Sequence, residues 1–154
     1  MKKYFKILGF VGMVTSIVIL LLYLPQVYAA SDWEWEHGGA YNAFIVLGGL
    51  TEQPSRLLGA AISMLITFVF HFIGFVFSII QMKFVKIKSL QTNLVTGVAF
   101  LFAGIGQIVY FALWMIDYSI PVIMTLINAV LFIGLSCFNL VPVFISFFKH
   151  LDDE

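Results

Sequence analysis

The chain has 154 residues, of which 62% are hydrophobic and only 10% charged, against roughly a quarter charged in an ordinary soluble domain. Such a sequence cannot cover a water-facing surface, so a soluble globular fold is excluded and lipid is the expected solvent and partner. The formal net charge is zero, with no basic face for nucleic acid, and the single cysteine, Cys137, excludes an intrachain disulfide or a multi-cysteine zinc site.

A membrane-crossing helix needs about 20 mostly apolar residues. The first such segment, about 7–28, follows Lys2, Lys3 and Lys6. Its end, Pro25-Gln26-Val27-Tyr28-Ala29-Ala30, also resembles a signal-peptide cleavage site, with the cut after Ala29 or Ala30. The apolar run Ile7 to Leu24 is 18 residues, longer than the usual 7 to 15 or so of a secretory signal, so a retained anchor is expected.

An acidic, aromatic outer loop is expected over 29–56. In Asp32-Trp33-Glu34-Trp35-Glu36-His37 acids alternate with rings, and a strand there would gather the three carboxylates on one face. Carboxylates are hard oxygen ligands, which makes a weak cation site one reading. The reading adopted is an interfacial segment with indoles at headgroup level and solvated acids, so no metal is expected. Residues 40–50 are apolar but too short to cross, reaching about 16 Å as a helix, and periodicity cannot assign their conformation.

The second crossing, 57–82, holds fifteen Leu, Ile, Phe and Val residues, which together favour insertion by roughly 5 to 9 kcal/mol. The lone histidine in it, His71, cannot cancel that term. A basic loop over 83–91, with Lys83, Lys86 and Lys88, leads to an uncharged third crossing at 92–116. The fourth is expected over 120–141, because Pro121 suits a first helical turn and Pro142 removes an internal hydrogen bond. Lysines cluster before the first crossing, in the loop after the second and at Lys149, whereas Asp32, Glu34, Glu36, Glu52 and Asp117 share the other side with Arg56. The bias of Lys and Arg toward the cytoplasm then puts both termini inside. The expected fold is a single all-α membrane domain over 1–154, a four-helix bundle in the cell membrane.

Ionisable residues inside a membrane are functional candidates, and His71 alone qualifies. Rise per residue puts it roughly 18 Å deep, with Ser136 near 20 Å and Ser16 near 15 Å. A proton-linked role is one reading, because imidazole titrates near neutral pH. A neutral ring bonded to Ser136, Ser16 or a backbone carbonyl is preferred, since no intramembrane carboxylate accompanies it. Gln107 and Asn128 both lie roughly 14 to 15 Å from the opposite side, so they are expected to share a hydrogen bond. Asn139 is expected to have a separate partner. Gly59 and Ser63, Gly74 and Ser78, and Ala99 and Ala103 have the small-xxx-small spacing of close helix contacts, with Gly104 and Gly106 extending the last surface. Phe68, Phe72 and Phe75 form a stripe suited to packing or to lipid.

No zinc-protease, nucleophile-elbow, phosphate-loop or dinucleotide motif occurs. No catalytic residues and no cofactor are therefore expected. The leading expectation is a non-enzymatic accessory or interaction subunit, binding a membrane-protein partner or further copies of itself. A small transporter or channel subunit using His71, Gln107 and Asn128 is the alternative, and a membrane-embedded lipid-acting enzyme is the least favoured. Lys6-Ile7-Leu8-Gly9-Phe10-Val11-Gly12, the Lys83–Lys88 loop, the run GVAFLFAGIGQ over Gly97 to Gln107, and Ile120-Pro121 together resemble an uncharacterised family of small four-span membrane proteins of low-GC Gram-positive bacteria. That resemblance implies four crossings and supplies no activity or site residues.

Overall fold

Once the long apolar segments are in lipid, no water is available for backbone N–H and C=O groups, and helix is the local way to pair them all. The computed structural model describes residues 2–37, 55–83, 89–114 and 119–151, and all of these are helical. The helices are α1 (Lys2–His37), α2 (Ser55–Lys83), α3 (Ser89–Trp114) and α4 (Ser119–Leu151). Each contains a segment long and apolar enough to cross a membrane: Tyr4–Tyr23, Ile62–Lys83, Leu90–Ala112 and Thr125–Phe148.

Two boundaries differ from expectation. α1 does not stop near residue 28 but continues through His37, so the backbone over 32–37 is helical and the strand that would gather its carboxylates is not formed. Ala29, Ala30 and Glu34 are good helix formers, and the chain meets its first glycine pair only at Gly38-Gly39. α4 continues past Pro142 to Leu151. The proline withholds one N–H from the Phe138 carbonyl, a local loss that helices in membranes tolerate. The residues expected to form the rest of the outer loop, including 40–50, lie outside the described residues, as do 84–88 of the basic loop.

α1 packs on α2, α2 on α3, α3 on α4 and α4 on α1, closing a cycle. Neighbouring helices run antiparallel, as pairs along α1 and α2 show: Gly9 lies against Met82, and Tyr23 against Phe68. The distribution of side chains inverts that of a soluble protein. Phe72, Val130, Phe138, Ile7 and Leu21 are among the most exposed residues, Phe72 and Val130 at 68%. The interior instead holds Ser16, Thr67, Ser78, Asn93, Thr96, Gln107, Thr125 and Asn128, each at 0%. Lipid tails are as apolar as leucine, so helices gain nothing by burying apolar faces and associate through close packing and interhelical hydrogen bonds.

Glycines create the close approaches. A Cβ at Gly9 would sit 2.6 Å from the Ser78 carbonyl oxygen and 2.7 Å from the Met82 backbone nitrogen. One at Gly74 would meet the buried Phe100 ring at 2.6 Å, and one at Gly97 would meet Leu140 at 2.6 Å. Gly104 and Gly106 do not share a surface: the first faces Phe132 and Ile133 of α4, the second Ser63 and Thr67 of α2. Two residues apart on a helix, they point about 200° apart. The Phe stripe of α2 also divides, for Phe68 packs on Tyr23 while Phe72 is exposed.

Because backbone blocks the added methyl, Gly9→Ala should lower stability by about 1–3 kcal/mol. Gly134→Ala meets nothing within 4 Å and should leave stability unchanged or slightly raised. Thermal unfolding of both variants in the same detergent checks the pair, and equal melting temperatures would remove the α1–α2 contact from this account.

Candidate functional site

The polar side chains of the interior fall into three levels along the helix axes. The best bonded lies at the Lys83 end and joins three helices. Asn139 Nδ2 of α4 donates to the Leu135 carbonyl at 2.8 Å, which leaves Asn139 Oδ1 as an acceptor. Gln81 Nε2 of α2 donates to that oxygen at 3.0 Å and to Asn93 Oδ1 of α3 at 2.6 Å. One backbone carbonyl thus fixes the orientation of three amides in sequence, since reversing any of them would oppose two acceptors or two donors. Asn139 has its separate partner, and that partner is Gln81. The two atoms left over are Gln81 Oε1 and Asn93 Nδ2, one acceptor and one donor, unpaired among the described residues.

His71 occupies the middle level, at 2% exposure. Its Nδ1 lies 3.4 Å from the Tyr23 hydroxyl of α1, and its ring stands edge-on to Phe132 at 4.9 Å between centroids. Nε2 has no hydrogen-bond partner among the described residues, and neither does Ser16 Oγ. The expected partner Ser136 is buried on α4, one turn from the Phe132 ring that contacts the imidazole. The imidazole is thus held on α1 by the Tyr23 phenol and by the Ser16 backbone, the second of which belongs to the expected set. Phe132 stacks on Phe100 at 6.1 Å, and with Ile19 these rings fill the centre at 0% exposure.

Gln107 and Asn128 belong to the third level. Both are fully buried, yet the hydrogen bond expected between them is not made. Gln107 Nε2 donates to the Met64 sulfur of α2 at 3.5 Å, a soft and weak acceptor. Gln107 Oε1 and both amide atoms of Asn128 have no hydrogen-bond partner among the described residues. Depth along the crossings brings the two residues to one level, but depth carries no information about which neighbour a flexible carboxamide turns toward.

The hydroxyls close their bonds locally. Ser78 Oγ donates to the Gly74 carbonyl at 2.8 Å and Thr96 Oγ1 to the Thr92 carbonyl at 2.7 Å. Thr67 Oγ1 reaches both the Ser63 carbonyl of its own turn, at 2.9 Å, and the Ala103 carbonyl of α3, at 3.4 Å. Among the described residues no three His, Cys, Asp or Glu side chains converge where they could hold a metal ion.

No family model, curated protein or solved structure matches the chain. The residues themselves must carry the reading. Gln81, Asn93 and Tyr23 were absent from the candidate set because each lies near the end of its apolar run, where a polar residue is unremarkable. The usable signal was the recurrence of an amide near the same end of three crossings, at Gln81, Asn93 and Asn139.

A double-mutant cycle with Gln81→Leu and Asn139→Leu should return a coupling energy of about 0.6 to 1.7 kcal/mol, the span from average to maximum for hydrogen bonds between membrane helices. Reversible unfolding in mixed micelles provides the measurement, and additive single effects would mean that the amide layer does not tie α2 to α4.

Proposed function

We propose that the chain is a four-helix bundle of the cell membrane with both termini in the cytoplasm, acting as a non-enzymatic accessory or interaction subunit. The observation that carries this reading is the packed centre, where Ile19, Phe100 and Phe132 are wholly buried between the polar levels. Side chains that fill the axis at mid-height, with amides tied across α2, α3 and α4 on one side of it, suit a rigid scaffold better than a path for solutes. The interaction role draws support from α4. Val130, Phe138, Val141 and Ile145 are exposed along one face, and Gly134, within the same stripe, faces open space. Gly9, Gly12, Gly74, Gly97, Gly104 and Gly106 are by contrast each pressed against a neighbouring helix. A glycine in an apolar stripe lets a further helix approach closely.

Retention of the first crossing is part of the proposal. Gly9 and Gly12 fit against α2, and Tyr23 meets His71, so cleavage after Ala29 or Ala30 would remove one wall of the interior. The orientation rests on the lysines: Lys2, Lys3, Lys6, Lys83 and Lys149 all lie at one end of the antiparallel helices.

The alternative, a small transporter or channel subunit, is favoured by one observation. Seven buried polar atoms, on Ser16, His71, Gln81, Asn93, Gln107 and Asn128, lack a hydrogen-bond partner among the described residues and recur at all three levels. Unpaired polar groups within a membrane mark the routes of ions and polar solutes.

Purification in mild detergent should yield a stable partner or a defined oligomer, and Gly134→Ile should dissociate it while leaving the melting temperature in place. Reconstituted vesicles should show no more solute or proton flux than empty ones, and flux that depends on His71 or Asn128 would transfer the assignment to the alternative. Intact mass should include the first 30 residues. A cysteine at position 86 should react with impermeant maleimide only after the cells are opened.

A further inference from the structure

We infer that the Gln107–Asn128 level is a binding site for one water molecule, held between α3 and α4 within the membrane. The register of these helices sets the site. Gly97 of α3 faces Asn139 and Leu140 of α4, and Gly104 faces Ala129, Phe132 and Ile133. Continued three residues along antiparallel helices, that register brings Gln107 level with Asn128. Both side chains are at 0% exposure. Gln107 Oε1, Asn128 Oδ1 and Asn128 Nδ2 are without hydrogen-bond partners among the described residues, so two acceptors and one donor from two helices are buried at one level.

The chemistry of these atoms selects the ligand. A hard cation such as calcium takes six to eight or so oxygen ligands, commonly including carboxylates, and an anion would require a charged or multiple-donor partner. Two carbonyl oxygens and one amide NH2 group call for a neutral molecule that donates twice and accepts at least once. Water does so, and an internal water ordinarily makes about three hydrogen bonds to buried groups that would otherwise go unpaired. The Lys83-end level differs in a way that explains why the inference is confined here. There Gln81 and Asn93 already share a 2.6 Å bond, and a modest rotation could pair their remaining donor and acceptor with each other. At the Gln107 level the two amides are not bonded to each other, and among the described residues the Met64 thioether alone accepts from Gln107. The inference stands apart from the proposed function, since a scaffold and a transporter can each hold an internal water.

The test uses the full chain, labelled with ¹⁵N at Asn and Gln, in lipid nanodiscs, with ordinary water as the probe. Rotating-frame Overhauser spectra should show a cross-peak between the Asn128 side-chain amide protons and water, with the sign of dipolar contact and opposite to that of proton exchange. The same peak should disappear in the paired variant Gln107→Met with Asn128→Leu, which removes all three groups. Loss of the dipolar peak in the unaltered protein, or a through-bond coupling from Asn128 Nδ2 directly to the Gln107 side chain, would overturn the site. Because the decisive spectrum is that of the unaltered chain, a variant that folds poorly does not obscure the answer.

Discussion

Exclusion of bulk water from the hydrocarbon around the helices governs this structure. A soluble protein leaves an awkward amide at its surface for solvent to satisfy, whereas here the surface is hydrocarbon and offers nothing. Most Gln, Asn, Ser, Thr and His side chains on the crossings therefore turn inward, and many apolar side chains, which cost nothing against lipid tails, face outward. The exposed Phe72, Val130 and Phe138 and the buried Gln107, Asn128 and Asn93 are two results of one constraint. The helices follow from it as well, since the backbone is subject to the same requirement.

Given that inversion, specificity comes from contacts of short reach. Lipid does not drive apolar helix faces together, so the position of one helix on another depends on where backbones can approach and where polar groups can meet. Gly9 beside the Ser78 carbonyl and Gly97 beside Leu140 set approach. The Gln81 amide, bonded to both Asn93 and Asn139, sets rotation. Neither device is strong by itself, with interhelical hydrogen bonds averaging about 0.6 kcal/mol. They act together because a rotation that breaks the amide layer also drives Phe100 from the hollow above Gly74. Packing and hydrogen bonding thus select the same arrangement, and agreement between levels marks a sequence that specifies one fold.

Much of the architecture was legible beforehand. Run length and charge gave four apolar helices, because hydrophobic thickness leaves little freedom in where a crossing falls. Helix ends were less legible. At Ala29 to His37 and beyond Pro142 local propensity or tolerance extended the helix past the apolar run, and apolarity alone does not register either effect. Among the polar residues, depth was readable and partnership was not. His71 meets the backbone of Ser16, one of its expected neighbours, and also Tyr23, which depth did not point to because a long side chain of α1 reaches across a turn. Gln107 turns to Met64, a sulfur that polar pairing rules leave out of account. The Gln81 layer was missed for the opposite reason, as amides near a crossing's end look like interfacial residues until three of them coincide.

The amide layer ties α2, α3 and α4 together at a defined level. At the Lys83 end three amides and one backbone carbonyl are linked, so separating α2 from α3 or α4 there breaks at least one well-formed hydrogen bond. At the Gln107 level the bond made by the Gln107 and Asn128 amides among the described residues is the weak donation to Met64. Between the two amide levels the Phe100–Phe132 stack and Ile19 fill the centre. A displacement of α4 against α2 or α3 at the Lys83 end therefore has to break this amide layer. The exposed Val130–Ile145 face is carried by the same helix as Asn139, so a load applied to that face is passed to α2 through the Gln81–Asn139 hydrogen bond.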